Sequence, residues 1–190
     1  MPTVLLLFDS RGGLTEQLAQ AVAEGVRSVP GAELRYCRAE ETPVDQLSQC
    51  DALILGSPNY SGMTGKLKSW MDHAWKSWEE GALVGKVGAA FTAGYSPSGG
   101  TEATLLQLLH LLLAHGMLVV GLPWSERMRV SGSYYGATAH GQVTEDDREQ
   151  SRALGKRVAE TAVKLFGPRS GSDRTVRPEP VEGPSSASEH

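Results

Sequence analysis

Ser10, Arg11, Gly12, Gly13, Leu14 and Thr15 form a short polar loop whose residue types suit an anion. Ser10 and Thr15 offer hydroxyl donors and Arg11 a positive charge, while Gly12 and Gly13 let the backbone turn and come close to whatever it holds. The loop follows Val4 to Phe8, apolar at every position, as in a strand covered on both faces. After it, Leu18, Ala19, Val22, Ala23 and Val26 recur at three- and four-residue steps, the spacing of a helix with one buried stripe. A strand that hands over to a helix in this way aims unpaired N–H groups, and the positive end of the helix dipole, into the loop. A loop that merely turns the chain is the competing reading of the same residues.

Several phosphate chemistries are excluded. No GxxxxGKS or GxxxxGKT is present for a nucleoside triphosphate, and the glycines are adjacent, so the dinucleotide pattern GxGxxG is absent. A phosphatase loop of this shape needs a cysteine, and there is none. A monophosphate remains. Two further loops combine glycine, polar residues and one aromatic: Pro58, Asn59, Tyr60 and Ser61 in the first, and Ala93, Gly94, Tyr95, Ser98 and Gly99, preceded by Thr92, in the second. Tyr60 and Tyr95 present faces on which a flat ring would stack, at about 1 kcal/mol beyond area burial. His115, at a helix end, either caps carbonyls and favours the dipole or serves a ligand. No Ser/His/Asp order points to a catalytic side chain, and His73, His110, His115, His140 and His190 lack the spacing of a metal site.

The elements that must position these loops alternate. Strands are expected at Val4 to Phe8, Glu33 to Cys37 (near an edge), Asp51 to Gly56, Val87 to Thr92 and Met117 to Gly121. Helices are expected from Thr15, over Lys66 to Trp78, from Thr101 as a cap to about Ala114, and from Thr144 to about Phe166. Leu122 to Thr144 reads as one long irregular excursion. The expectation is an α/β fold, a doubly wound five-stranded parallel sheet with helices on both faces, over residues 1–167. Ligands of such sheets bind at the C-terminal ends of the strands, where all three unusual loops fall. Residues 168–190, rich in Pro, Ser and charge, read as a disordered tail. Trp70 and Trp75 read as core or interface packing, whereas Trp78, beside Glu79, Glu80 and Gly81, would be exposed unless a partner chain covers it.

Composition sets outer bounds. At 190 residues with 40% hydrophobic side chains, the chain suits one domain with a full core. A net charge of −4 gives no general attraction to nucleic acid or anionic membrane. Leu105 to Leu113 is about half a membrane span and contains Gln107 and His110, so it reads as a buried helix. Cys37 and Cys50 fit neither zinc nor a disulfide framework, and no signal peptide precedes Val4, so a reducing cytoplasm is expected.

With these loops in view the sequence resembles the flavodoxin-like NAD(P)H:quinone oxidoreductases of the tryptophan-repressor-binding-protein family. The resemblance is carried, in family order, by Ser10 to Ala19, Gly56-Ser57-Pro58 with Gly62-Met63-Thr64-Gly65, Gly81-Ala82-Leu83 with Gly85-Lys86, Ala114-His115-Gly116-Met117, Tyr135-Gly136-Ala137-Thr138 and Ala162-Val163-Lys164-Leu165. It implies FMN in the three-loop pocket. Ser10 to Thr15 would hold the phosphate, Pro58 to Ser61 and Thr92 to Gly99 would border the isoalloxazine, and His115 would reach the flavin from beneath the fifth strand. It also implies NAD(P)H and quinone as substrates, and a homo-oligomer, dimer or tetramer, in which Trp78 walls a neighbour's substrate pocket. The chain departs from the family at Gly12, where a tyrosine is usual, at Leu14, where a histidine is usual, and at Asn59-Tyr60 in a loop one residue shorter. The alternative readings are a flavodoxin-type electron carrier, against which the modest charge speaks, and a flavin-free phosphorylation receiver, which lacks a second acid beside Asp9.

Overall fold

The alternation of apolar runs and amphipathic stretches becomes a parallel sheet with helices on both faces in the computed structural model, which describes residues 1–11 and 13–168. The expected tail beyond Pro168 lies outside the described residues. Strands β1 (Thr3–Phe8), β2 (Glu33–Arg38), β3 (Ala52–Pro58) and β4 (Val87–Gly94) run parallel in the order β2-β1-β3-β4, with β2 at the edge as its mixed composition implies.

The fifth position is shared. β5 (Leu118–Val119) pairs with Val87 and Gly88 at the start of β4, and β6 (Ala137–His140) pairs with Phe91 to Gly94 at its end. The strand expected over Met117 to Gly121 is therefore cut to two residues. The excursion expected to be irregular supplies the rest of that edge. It closes on itself where Leu122 N–H donates to the Tyr134 carbonyl at 3.1 Å, which returns the chain to the sheet in time to continue the interrupted ladder.

Alternating strand residues serve two separate cores. Val4, Leu6, Phe8, Ile54 and Phe91 pack with α1 (Leu14–Arg27) and α5 (Glu145–Phe166), and all are fully buried. Leu5, Leu7, Leu53, Leu55 and Ala90 pack with α2 (Gly65–His73) and α4 (Thr101–Ala114) on the other face. The stripe read on α1 is the one buried: Leu18, Ala19, Val22, Ala23 and Val26 have no exposed surface. Thr144 caps α5 as expected, and with Asp147 it closes a capping box.

Three local expectations change. The helix expected over Lys66 to Trp78 breaks at Ala74, after which α3 (Trp75–Glu79) runs as a separate short helix. Trp70 is buried, its indole N–H donating to the Thr42 carbonyl at 2.6 Å, but Trp75 is 52% exposed and belongs to no core. Thr101 does not cap α4; Gly100 holds that position at φ 87°, and the Thr101 hydroxyl faces His140 instead.

The α1–α5 crossing is set by two glycines. A Cβ on Gly25 would lie 2.0 Å from the Arg152 carbonyl oxygen, and one on Gly155 2.0 Å from the Val22 carbonyl oxygen, so each helix backbone sits directly against the other. Gly155→Ala should therefore lower stability by about 1–3 kcal/mol through forced separation of the helices, measured by urea denaturation. A change below about 0.5 kcal/mol, the scale of surface substitutions, would contradict this packing.

Candidate functional site

Register brings the ends of three strands to one level. Phe8 lies opposite Gly56, and Pro58 opposite Ala93, so the loops leaving β1, β3 and β4 emerge side by side. Between them lies a narrow cleft with a cavity volume of about 20 Å³. Leu14 and Thr15 line it from the first loop, Pro58, Asn59 and Tyr60 from the second, and Ala93, Gly94 and Tyr95 from the third. All belong to the set expected from sequence.

The first loop is equipped for an anion. Gly13 stands at the start of α1 at φ 82°, a conformation that favours glycine, and no side chain caps the helix. The first-turn N–H groups are thus left to the loop. Among the described residues, Ser10 Oγ and Asp9 Oδ2 are buried without a hydrogen-bond partner. Leaving such atoms unpaired costs about 1–3 kcal/mol each, and a ligand bearing both anionic oxygens and hydroxyl groups would satisfy the pair. Arg11 is exposed, its guanidinium 5.8 Å from the Tyr60 ring centroid, a cation–π distance. Gly12 lies outside the described residues.

The other expected residues divide. Thr92 is fully buried and donates its hydroxyl to the Ser57 carbonyl at 2.7 Å, so it supports the floor of the cleft and does not line it. Ser61, at φ 59°, and Ser98 and Gly99 are exposed on loop turns outside the lining. Tyr60 and Tyr95 stand at the mouth, 47% and 74% exposed. His115 and Trp78 are not part of this chain's cleft. His115 precedes β5, which pairs with the first residues of β4, while the cleft stands beyond the last; at the rise of a strand this is a separation of about 20 Å. Trp78 sits beside it, donating its indole N–H to the Ala114 carbonyl at 2.8 Å. The two residues therefore share the far edge of the sheet.

Sequence reasoning missed the supports. Thr101 Oγ1 and His140 Nε2 lie 3.0 Å apart, and Gly141 N–H donates to the Gly94 carbonyl at 2.8 Å, so β6 braces the third loop from behind. Thr104 and Gln107 on α4 bond to the second loop. Their signal was present as polar residues at helical spacing inside a leucine-rich run.

Comparison with known proteins bears on the family and the fold. A family model described as NADPH-dependent FMN reductase matches residues 2–126. An NAD(P)H dehydrogenase (quinone) of Archaeoglobus fulgidus is 41% identical over 191 residues, covering 87% of this chain and 100% of the relative. A protein of the same name from Acidovorax ebreus is 38% identical over 200 residues, covering 88% and 100%. Among solved structures, a WrbA-like flavodoxin from Agrobacterium tumefaciens is similar at TM-score 0.70 and 28% identity, covering 86% of this chain and 99% of that one.

His115 gives this face a pH dependence. Burial lowers its pKa from the ordinary 6.5, and its Nδ1 is buried without a partner among the described residues. The unfolded chain takes up the proton more readily than the folded one, so the stability held by the neutral ring is complete above that value and is lost as pH falls below it. Thermal unfolding between about pH 7.5 and 5.5 should show a smaller decline for His115→Gln than for the unmodified protein. Equal declines would contradict the assignment.

Proposed function

The chain belongs to the NADPH-dependent FMN reductase family, and on that premise we propose that it is an FMN-dependent NAD(P)H:quinone oxidoreductase working by two-electron, ping-pong transfer. The observation that carries this reading is the conjunction of an uncapped α1 with a Ser10 hydroxyl that has no partner among the described residues, at the end of a cleft built from three strand-end loops. FMN has a phosphate for that end and ribityl hydroxyl groups that match an acceptor such as Asp9 Oδ2. When bound, FMN supplies the redox chemistry, taking a hydride from a nicotinamide and passing two electrons to a quinone.

The protein's part is to bind and orient. The α1 N–H groups, Ser10 and Thr15 hold the phosphate, with Arg11 adding charge, and the favourable helix dipole points the same way. Pro58, Asn59 and Tyr60 form one wall for the ring and Ala93, Gly94 and Tyr95 the other; Ser61, Ser98 and Gly99 belong to the loops that carry those walls. No side chain has to act as nucleophile or base.

In this reading the protein is a homo-oligomer, and Trp78 and His115 serve the cleft of a partner copy. Support comes from the apolar character of the far edge, where Trp78, Val84, Leu113 and Leu118 are all more than half exposed. A cytoplasmic location is supported by Cys37 and Cys50, both free thiols.

Purified protein supplied with FMN should oxidise NADH or NADPH with benzoquinone as acceptor, and silence with both nucleotides would overturn the enzyme reading. Ser10→Ala should weaken FMN binding about tenfold or more, the worth of a hydrogen bond to a charged group, in a fluorescence-quenching titration. Trp78→Ala should raise the KM for quinone while leaving FMN affinity unchanged. A monomer by sedimentation would remove the role given to Trp78 and His115.

A further inference from the structure

Asn59 lines the cleft, yet its side chain is engaged elsewhere. Nδ2 donates to the Gly99 carbonyl at 2.6 Å, and Oδ1 accepts from Gly62 N–H at 3.2 Å and from the Thr104 hydroxyl at 3.1 Å. Its backbone N–H donates to the Ala93 carbonyl at 2.8 Å. Gly99 offers only an acceptor and Gly62 only a donor at these contacts, so the amide has one orientation that satisfies both. One side chain therefore joins its own loop, the loop after β4 and helix α4. Thr104 is fully buried and lies outside the cleft lining, and one turn further along α4 Gln107 Oε1 accepts from Met63 N–H at 2.9 Å. The close fit extends to Gly94, where an added Cβ would lie 3.4 Å from Asn59 Nδ2.

We propose that Asn59 is a positioning residue, not a flavin ligand: by tying Gly62, Gly99 and Thr104 together it fixes the spacing of the two cleft walls that carry Tyr60 and Tyr95. A two-carbon amide suits this use, because it presents a donor and an acceptor in one rigid plane and has little rotational freedom to lose. The tie is a feature of the free protein. Only its consequence for FMN rests on the function proposed above.

Hydrogen exchange on the protein without FMN tests the tie directly. In Asn59→Ala, segments 59–64 and 95–100 should lose protection together while melting temperature and the exchange of α1 and α5 stay near those of the unmodified chain. Asn59→Asp keeps both accepted bonds and loses the donated one, so the loss should be confined to 95–100. Thr104→Val, nearly isosteric and remote from the lining, should loosen 59–64. With FMN added, Asn59→Ala should weaken binding at least tenfold and Thr104→Val severalfold. The double variant should be no weaker than Asn59→Ala, and the visible spectrum of bound FMN should shift in both single variants. Unchanged protection in Asn59→Ala overturns the proposal, as does weakened FMN binding in Asn59→Ala with protection, and Thr104→Val, unaffected, since that pattern belongs to a direct ligand. Loss of protection in a protein that binds no FMN upholds the tie and refutes the flavin reading instead.

Discussion

A helix start left without a cap is the feature on which the site depends. A Ser, Thr, Asp or Asn at that position would stabilise a helix by about 0.5–2 kcal/mol relative to alanine, and this chain uses such residues elsewhere: Thr64 caps α2 and Thr144 caps α5. At α1 and α4 it places Gly13 and Gly100 in left-handed conformations with no side-chain bond. These are the helices that follow the first and third cleft loops. Withholding the cap from α1 keeps its N–H groups available to an anion, and the Ser10 hydroxyl, without a partner among the described residues, adds a donor at the same end.

Holding that helix start in place is the work of the rest of the fold. The apolar stripe of α1 is pinned to the sheet through Leu18, Val22 and Val26, and its back lies on α5 at the Gly25–Gly155 contact, where two backbones meet without an intervening side chain. Parallel pairing then puts the ends of β1, β3 and β4 level, so that walls from the second and third loops rise beside the first. Behind those walls stand α4, through Thr104 and Gln107, and β6, through His140 and Gly141. The cleft is thus framed from four sides by elements whose own cores are complete.

What could be read in the sequence was what repeats. Unbroken apolar runs marked the strands, three-and-four spacing marked α1, and glycine with hydroxyl residues at strand ends marked the loops; each is a local pattern. The split fifth strand escaped because Leu118–Val119 is too short to show a period and β6 is recognisable only by its pairing with Phe91 to Gly94. Asn59 was legible only as a residue of a site loop, because its partners Gly99 and Thr104 are 40 and 45 residues away. His115 and Trp78 were readable as unusual residues, but their placement at the opposite edge from the cleft is a property of the topology alone.

The proposed function turns on retention of the FMN phosphate at the start of α1. Titrating the protein with FMN and with riboflavin, which has the same ring system and ribityl chain but no phosphate, separates that contact from ring stacking. With the phosphate held there, FMN binds at least about a hundredfold more tightly, on the order of two charge-assisted hydrogen bonds, with the advantage shrinking as salt is raised. Equal affinity for the two flavins would contradict it.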